Sequence, residues 1–262
     1  MIDLHSHILY TIEGDDGSRS QEMSLDMLRM AVEAGTTDIF ATPHVNRRGI
    51  VPHWEDIVTR TEELREAAVQ ANIPIRVHTG AEVELNYTTL DFLGKGETRY
   101  CLNGSHYILT ELTPQSDPEQ TESLLYELML REYIPVLAHP ERYDRIMTHP
   151  ERILKWMQKG VLTQCNAGSF IGQFGEQAKE RAELLYRHQM ICFLGSDAHR
   201  TDWRNPDTSA AEEGIRKFTG SAAFWDSCCR NADNIVRHKL FYPTVPDCFK
   251  KQKKGFFSRL FG

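Results

Sequence analysis

The sequence predicts a single α/β barrel, and three observations support that prediction. Seven short, β-rich apolar runs alternate with amphipathic helical stretches along the chain. The length of 262 residues is one that barrels often occupy as a single domain. Nearly every apolar run ends in a histidine, acidic or amide side chain. A closed barrel brings all its strand ends around one point, whereas the edge strands of an open sheet lie too far apart.

The elements follow from this alternation. The predicted strands are residues 2–5, 38–42, 75–82, 107–111, 134–139, 161–166 and 191–197. The predicted helices are residues 20–34, 54–72, 118–132, 150–159 and 175–189, with two closing helices over 207–218 and 224–239. Ser20 is a suitable N-cap, and Gly35 and Gly160 stand where two helices would end. We expect a loop with a short helical piece between residues 82 and 107. We expect a barrel domain over residues 1–242 and a tail over residues 243–262.

Composition and charge argue against several classes of protein. No apolar run approaches the roughly 20 residues that a membrane helix needs. The N-terminus has neither the basic region nor the apolar core of a signal peptide, so we expect a cytoplasmic protein. A net charge of −7 argues against a surface that coats nucleic acid. The six cysteines have no C-x-x-C spacing, and we expect them to be reduced.

Two closely spaced pairs of polar residues carry most of the functional argument. His5 and His7 flank Ser6 at the end of the first strand, where strand alternation places both imidazoles on one face. Asp197 and His199 repeat this spacing after the seventh strand, which neighbours the first once the barrel closes. One such pair could arise by chance among eleven histidines. Two pairs at adjacent strand ends predict a metal site.

Other strand ends add further candidate ligands. His44 and His139 each stand beside a proline, which stiffens the loop that carries them. Glu82 and Glu111 end the third and fourth strands, where a buried carboxylate needs a cation or a basic partner. A structural salt bridge is the alternative interpretation of Glu111. Six histidines lack carboxylate neighbours and are interpreted as surface or core residues: His53, His78, His106, His149, His188 and His238.

Two arginines and an acidic turn complete the candidate site. Arg142 follows His139 and Arg204 follows His199 by a short loop, so both are expected at the mouth of the barrel. A planar guanidinium group suits the oxygens of a phosphate. Asp15 and Asp16 form a turn by default, and they become candidate ligands only together with the other residues.

These motifs together resemble a known family. The segments concerned are His5-Ser-His7, Thr42-Pro-His44, Gly80-Ala-Glu82, Ala138-His-Pro-Glu-Arg-Tyr143 and Ser196-Asp-Ala-His199. They are similar to the polymerase and histidinol phosphatase (PHP) superfamily. Their order and wording are closest to its bacterial protein-tyrosine phosphatase branch, the CpsB/CapC/YwqE-like enzymes of capsule and exopolysaccharide synthesis. The resemblance runs from Met1 to about Lys239, and it implies a distorted (β/α)7 TIM-like barrel of the PHP type.

The resemblance also implies three divalent metal ions, with manganese expected first and iron, magnesium or zinc as alternatives. The first ion would bind His5, His7, Glu82 and Asp197. The second would share Glu82 and add Glu111 and His139. The third would bind Asp16, His44 and His199. The loop after His7 is slightly longer than the family pattern, so Asp15 or Glu13 could replace Asp16. Six positive charges against four carboxylates leave a charge of +2, which matches a phosphate dianion held by Arg142 and Arg204.

The activity implied by the resemblance is hydrolysis of phosphotyrosine, with a metal-bridging hydroxide as the nucleophile. The implied substrate is a phosphorylated protein, in particular a membrane-associated bacterial tyrosine kinase. The alternative is a histidinol-phosphate or other small-molecule phosphatase of the same superfamily. An amidohydrolase is a weaker alternative, because those sites usually use a lysine at a strand end. A non-catalytic scaffold would be expected to have lost ligands.

The C-terminal tail suggests a second, peripheral role. Four lysines precede Phe256, Phe257, Leu260 and Phe261 near the end of the chain. Basic and aromatic residues together favour weak, salt-sensitive contact with an anionic membrane, at the inner membrane face. Docking of the aromatic end into a partner protein and a disordered, solubilising terminus are the alternatives.

Overall fold

The computed structural model describes residues 1–249 and contains a barrel of parallel strands. The strands in this range are β1 (Ile2–Ser6), β2 (Asp38–Ala41), β3 (His44–Val45), β4 (Arg76–Thr79), β5 (Glu82–Glu84), β6 (Tyr107–Glu111), β7 (Ile134–Ala138), β8 (Leu162–Asn166) and β9 (Phe193–Gly195). They pair in the orders β1-β2-β4 and β3-β5-β6-β7-β8-β9.

The strands form seven staves, because β3 continues β2 and β5 continues β4 after short breaks. The barrel closes between its first and last strands. The His7 N–H donates to the Ala198 carbonyl at 2.7 Å, and the Asp197 N–H donates to the His5 carbonyl at 2.8 Å. The predicted (β/α)7 barrel is therefore confirmed within the described residues.

The prediction of one continuous strand over residues 75–82 is wrong, since the chain breaks at Gly80. A Cβ atom on Gly80 would lie 2.9 Å from Leu102 Cδ2 and 3.3 Å from Thr42 Cγ2, so only glycine fits this close approach without a shift of its neighbours. The predicted strand 38–42 likewise stops at Ala41 and resumes at His44, since Pro43 has no N–H to donate to the sheet. These two breaks distort the barrel.

Helices cover the outside of the barrel. They are α1 (Gln21–Glu33), α2 (Trp54–Gln70), α3 (Thr89–Phe92), α4 (Pro118–Leu130), α5 (Asp144–Met147), α6 (Glu151–Gln158), α7 (Glu176–Arg187), α8 (Ser209–Thr219) and α9 (Ala223–Val236). Short 3-10 turns span Leu102–Gly104, Pro140–Arg142 and Ala167–Ile171. The predicted cap is confirmed, because Ser20 Oγ accepts from the Met23 N–H at 3.2 Å. Gly35 and Gly160 follow helices with positive φ, as expected of glycines that end a helix.

The chain after α9 packs against the amino-terminal end of the barrel. The Phe241 N–H donates to the Tyr107 hydroxyl at 2.6 Å, and the Phe249 ring stacks on His188 with centroids 3.9 Å apart. The lysines and aromatic residues of the tail from residue 250 onward lie outside the described residues, and the domain boundary at residue 242 stays a prediction. Within residues 1–249, no helix has the length and apolarity that a transmembrane span requires.

Candidate metal centre

The predicted ligands converge at the carboxyl end of the barrel, and the Glu82 side chain lies at their meeting point. Glu82 Oε1 lies 3.2 Å from His5 Nε2 and 2.8 Å from His139 Nε2. Glu82 Oε2 lies 3.3 Å from His7 Nε2 and 3.1 Å from His44 Nδ1. The carboxylate of Glu82 is inaccessible to solvent, as are His5 and His7. One buried carboxylate therefore faces the rings of four histidines from three strand ends, since His5 and His7 both come from the end of β1.

Asp197 lies on the other side of the first pair of histidines. Its Oδ1 atom is 3.6 Å from His5 Nε2 and 3.7 Å from His7 Nε2. His5, His7 and Asp197 offer ligand atoms close enough together to hold one ion. Together with Glu82, they are the four residues expected at the first ion.

The remaining ligands form two further groups, and their arrangement differs in part from the predicted one. His139 groups with Glu82 and His5, whereas Glu111 groups with Glu82 and His44. Glu111 Oε1 lies 2.8 Å from His44 Nδ1. Glu111 and His139 thus both adjoin Glu82, but Glu111 groups with His44 and His139 groups with His5.

The acidic turn places its two aspartates in different positions. Asp16 Oδ1 lies 3.5 Å from His44 Nε2 and 3.3 Å from His199 Nε2, which is the grouping predicted for the third ion. Asp15 instead accepts from His7 Nδ1 at 2.7 Å and from the His44 backbone N–H at 3.0 Å. Asp15 therefore orients two candidate ligands from behind, while Asp16 faces the ring nitrogens directly.

Hydrogen bonds behind the ligands decide which ring nitrogen points inward. Gln164 Nε2 donates to Asn166 Oδ1, so Gln164 Oε1 is left to accept from His5 Nδ1 at 3.0 Å. His199 Nδ1 lies 3.0 Å from the Asp197 carbonyl, which can only accept. In both rings Nε2 then faces the centre, where it can bind a metal ion once it carries no proton. A carbonyl or carboxylate behind a ring nitrogen is typical of histidines that bind metal ions.

Charge couples these groups strongly. Burial disfavours the protonated imidazole of His5, but the charges of Glu82 and Asp197 outweigh it and raise the pKa of His5 to about 9. Burial also opposes the charge of Glu82, yet the charge of His5 and the hydrogen bond with His139 hold the pKa of that carboxyl well below its usual range. Burial and the neighbouring charge of His7 lower the pKa of His199 to about 4. The carboxylate of Glu82 therefore stays ionised at neutral pH despite its burial.

The donor set fits divalent cations. His5 Nε2 and His7 Nε2 lie 3.2 Å apart, so one ion could contact both atoms. Four buried polar atoms at the centre form no hydrogen bond of good geometry within the described residues: His44 Nδ1, Glu82 Oε2, Glu111 Oε1 and His139 Nδ1. His44 Nδ1 nevertheless lies close to both carboxylates. Buried polar atoms are rarely left unpaired. Imidazole and carboxylate ligands without a thiolate suit manganese, iron, zinc or magnesium.

Backbone strain occurs at this end of the barrel. His139, Asp197 and Arg204 have φ angles of 32°, 54° and 54°, in the left-handed region that residues with a Cβ atom seldom adopt. Residues in such conformations cluster at functional sites, where surrounding structure holds them.

Both predicted arginines lie beside Asp197. Arg142 Nη1 donates to Asp197 Oδ2 and Arg204 Nη2 donates to Asp197 Oδ1, each at 2.6 Å. The Phe174 ring lies beneath both guanidinium groups, with its centroid 5.0 Å from Arg142 Cζ and 5.7 Å from Arg204 Cζ. Trp203 is 63% exposed and its ring centroid lies 5.9 Å from Arg204 Cζ. The arginines are thus held in place next to the centre.

Sequence reasoning missed the residues that support the ligands. Gln164 and Asn166 lie on β8, and Asn166 Nδ2 donates to Asp197 Oδ2 at 2.8 Å. Arg47 Nη1 lies 2.7 Å from Asp16 Oδ1. Asn166 ends a predicted strand, which was a usable signal. No local signal marks Gln164 or Arg47, because their roles depend on contacts with residues that are distant in the sequence.

Comparison with known proteins places the chain in a family. Residues 1–237 match the family model described as capsular polysaccharide synthesis, CpsB/CapC. The tyrosine-protein phosphatase YwqE of Bacillus subtilis is 33% identical over 98% of this chain and all of that protein. The tyrosine-protein phosphatase CpsB of Streptococcus pneumoniae is 29% identical over 92% of this chain and all of its own length.

Solved structures agree with this placement. A crystal structure from work on YwqE and CpsB, described as unique metal-dependent tyrosine phosphatases, superposes with a TM-score of 0.86. The match covers 96% of this chain and all of that one, at 33% identity. A dihydropyrimidinase from Brevibacillus agri, at 10% identity and a TM-score of 0.52, shares the fold alone. The chain belongs to the CpsB/CapC family.

Proposed function

We propose that this chain is a metal-dependent protein-tyrosine phosphatase that acts in the control of capsule or exopolysaccharide synthesis. The observation that carries the proposal is the convergence of histidines on buried Glu82, directly beside two arginines that Asp197 and Phe174 hold at the edge of the centre. Its full-length relatives YwqE and CpsB are named tyrosine-protein phosphatases, which supports the choice of substrate class.

We propose three divalent ions, with manganese as the first expectation. The groupings support a first ion on His5, His7, Glu82 and Asp197, and a third on Asp16, His44 and His199. For the second ion we keep Glu82, Glu111 and His139, with His44 close enough to Glu111 to compete for it. Bound ions would polarise the phosphoryl oxygens and lower the pKa of a bound water.

The residues of the chain would bind and orient the substrate. Arg142 and Arg204 each carry a planar guanidinium group with several N–H donors, and both groups lie beside Asp197 at the edge of the centre. They can donate to the non-bridging oxygens of a phosphate while Phe174 supports them from below. The leaving phenolate of tyrosine has a parent pKa of about 10, so it departs with modest assistance.

Aromatic side chains at the mouth favour phosphotyrosine over histidinol phosphate. Trp203 is exposed next to Arg204, and Phe174 lies against both arginines. A phenyl ring that follows a phosphate into this site meets aromatic surface, and aromatic pairs contribute beyond simple burial. Histidinol carries a charged amine, which would need an acidic partner. Among the described residues that contact Arg142 and Arg204, the one acidic residue is Asp197, and it is already paired with both arginines.

The test compares two substrates on manganese-loaded protein. We expect kcat/KM for a phosphotyrosine peptide to exceed that for histidinol phosphate by about 100-fold. Removal of the metal with a chelator should abolish hydrolysis, and added manganese should restore it. A preference for histidinol phosphate would favour the alternative phosphatase, and activity that survives complete metal removal would refute the metal-dependent reaction.

We also propose that the substrate is a membrane-associated tyrosine kinase, and that residues 243–262 bring a cytoplasmic enzyme to the inner membrane face. The net charge of −7 and the barrel mouth give no reason to expect a nucleic-acid partner. The lysines and aromatic residues of the tail support weak attraction to anionic lipid.

The tail is tested by sedimentation with anionic vesicles. The full chain should sediment at low salt and much less at high salt, whereas a variant without residues 250–262 should stay in solution. A truncation after Phe249 retains every residue that the structure describes, including the Phe249 ring that packs on His188. Equal sedimentation of both proteins would exclude a lipid role for the tail.

A further inference from the structure

A second pocket adjoins the metal centre. It has a volume of about 350 Å³ and shares Asp15 and Asp16 with the centre, so a ligand in one lies next to a ligand in the other. Leu9 and Ile12 supply its apolar lining, and Arg19 and Arg200 also line it. None of the ion sites proposed above uses either arginine.

Two carboxylates, Asp15 and Asp16, and two guanidinium groups, Arg19 and Arg200, line this pocket, and only the carboxylates have partners among the described residues. Asp15 is already bonded to His7 and His44, and Asp16 Oδ1 faces Arg47 and the third ion site. Arg19 and Arg200, in contrast, have no ion pair with any residue in the described range 1–249. Most arginines on the outer helices do pair with a carboxylate, as Arg29 does with Asp26. Two unpaired guanidinium groups in one concave site favour an anionic ligand.

The loops that carry the two arginines adjoin the candidate ligands, and the Ser18 N–H, next to Arg19, donates to the His7 carbonyl at 3.0 Å. Arg200 directly follows His199, and its backbone N–H donates to the Arg204 carbonyl at 3.3 Å. Arg19 directly precedes Ser20, the N-cap of α1. An extended peptide advances by about 3.3 Å per residue, so a residue within a few positions of a phosphotyrosine reaches a neighbouring pocket.

We propose that Arg19 and Arg200 form a subsite for a second anionic group of the substrate, either a carboxylate or a phosphate, a few residues from the phosphotyrosine. This inference rests on the proposed function. It predicts that the enzyme selects phosphotyrosine within acidic or multiply phosphorylated sequences.

The test is a positional scan with manganese-loaded full-length protein. Phosphotyrosine peptides carry one glutamate, placed in turn at each of the positions from three before to three after the phosphotyrosine, and glutamine at the same place in a matched peptide. We expect the glutamate peptide to have a kcat/KM about fivefold higher at one or two positions, mainly through a lower KM. A second phosphotyrosine at the same position then distinguishes a carboxylate subsite from one that prefers phosphate.

The variant Arg19→Gln/Arg200→Gln assigns the effect to the pocket. Its ratio of kcat/KM between the best glutamate peptide and its glutamine partner should fall to near one, and high salt should weaken the wild-type ratio in the same direction. Arg230→Gln is the matched control, since Arg230 is an exposed arginine of α9 outside the pocket, and this variant should keep the wild-type ratio.

The outcomes separate the subsite from the proposed function. Hydrolysis of every peptide at the same rate by the wild type would overturn the subsite and leave the tyrosine phosphatase in place. A preference that persists in the double variant would place anion recognition elsewhere and also overturn it. Failure to hydrolyse any phosphotyrosine peptide would overturn both proposals.

Discussion

The substitution Glu82→Gln tests the metal centre most directly. It keeps the shape of a side chain that is inaccessible to solvent, and it removes one negative charge and one ligand oxygen. Glu82 lies within 3.3 Å of ring nitrogens from His5, His7, His44 and His139. No other carboxylate among residues 1–249 adjoins as many of the candidate ligands. The change should therefore weaken the binding of more than one ion.

The magnitude follows from mass action. Loss of a partner that only supports a metal ligand already weakens binding by about 10- to 100-fold, and a direct ligand should cost at least the larger figure. If the wild-type site is near saturation, a 100-fold loss of affinity for the ion lowers the free energy of unfolding by about 2.7 kcal/mol. At about 2–4 °C per kcal/mol for a protein of this size, the manganese-dependent rise in Tm should shrink by about 5–10 °C.

The assay is thermal unfolding over a series of manganese concentrations, paired with elemental analysis after dialysis. His106→Gln is the control, because His106 is exposed and precedes β6 at the opposite end of the barrel. The control should bind metal and gain Tm as the wild type does. Should Glu82→Gln retain the full metal content and the full rise in Tm, the assignment of Glu82 as a shared ligand is wrong.

Three further predictions concern the surroundings of Glu82. Arg142→Lys and Arg204→Lys keep the charge but lose the planar fork, so each should lower kcat on a phosphotyrosine peptide by about 100-fold with unchanged metal content; wild-type turnover in both would refute the phosphate role. The pKa of His5 near 9 means that metal binding at pH 7.5 displaces a proton, and calorimetric titration in two buffers should detect a release that declines as the pH rises through 9. Asp16→Asn should lose an ion in elemental analysis, whereas Asp15→Asn should keep it with about 10- to 100-fold weaker affinity; the reverse result would exchange their roles.

The barrel could be predicted because its signals are local. Each helix carries its own apolar periodicity and caps, and each stave its own apolar run, so the predicted helices agree closely with α1, α2, α4, α6 and α7. The breaks at Pro43 and Gly80 could not be placed, because they depend on contacts across strands. The close approach of Gly80 to Leu102 is one such contact.

The candidate ligands could be predicted for a related reason. Parallel strands deliver their carboxyl ends to one point, so a polar residue at each end is visible in sequence as a member of one site. The residues that hydrogen-bond to these ligands from outside the centre have no such signal in the sequence. Gln164 bonds His5 only because β8 and β1 both adjoin β9, and Asp15 bonds His7 only through the path of one loop. The sequence alone therefore leaves Asp15 and Asp16 as alternatives.

Asp197 joins the two halves of the proposed mechanism. Its Oδ1 atom faces His5 and His7 and also accepts from Arg204, whereas its Oδ2 atom accepts from Arg142 and Asn166. A link of this kind would fix where bound metal ions lie relative to the guanidinium groups, and in the proposed reaction both bind the same phosphate. The left-handed φ of 54° at Asp197 is consistent with that demand, because an extended backbone would direct the carboxylate elsewhere. The strain at this residue is thus explained by the need to present one carboxylate to both metal and arginine.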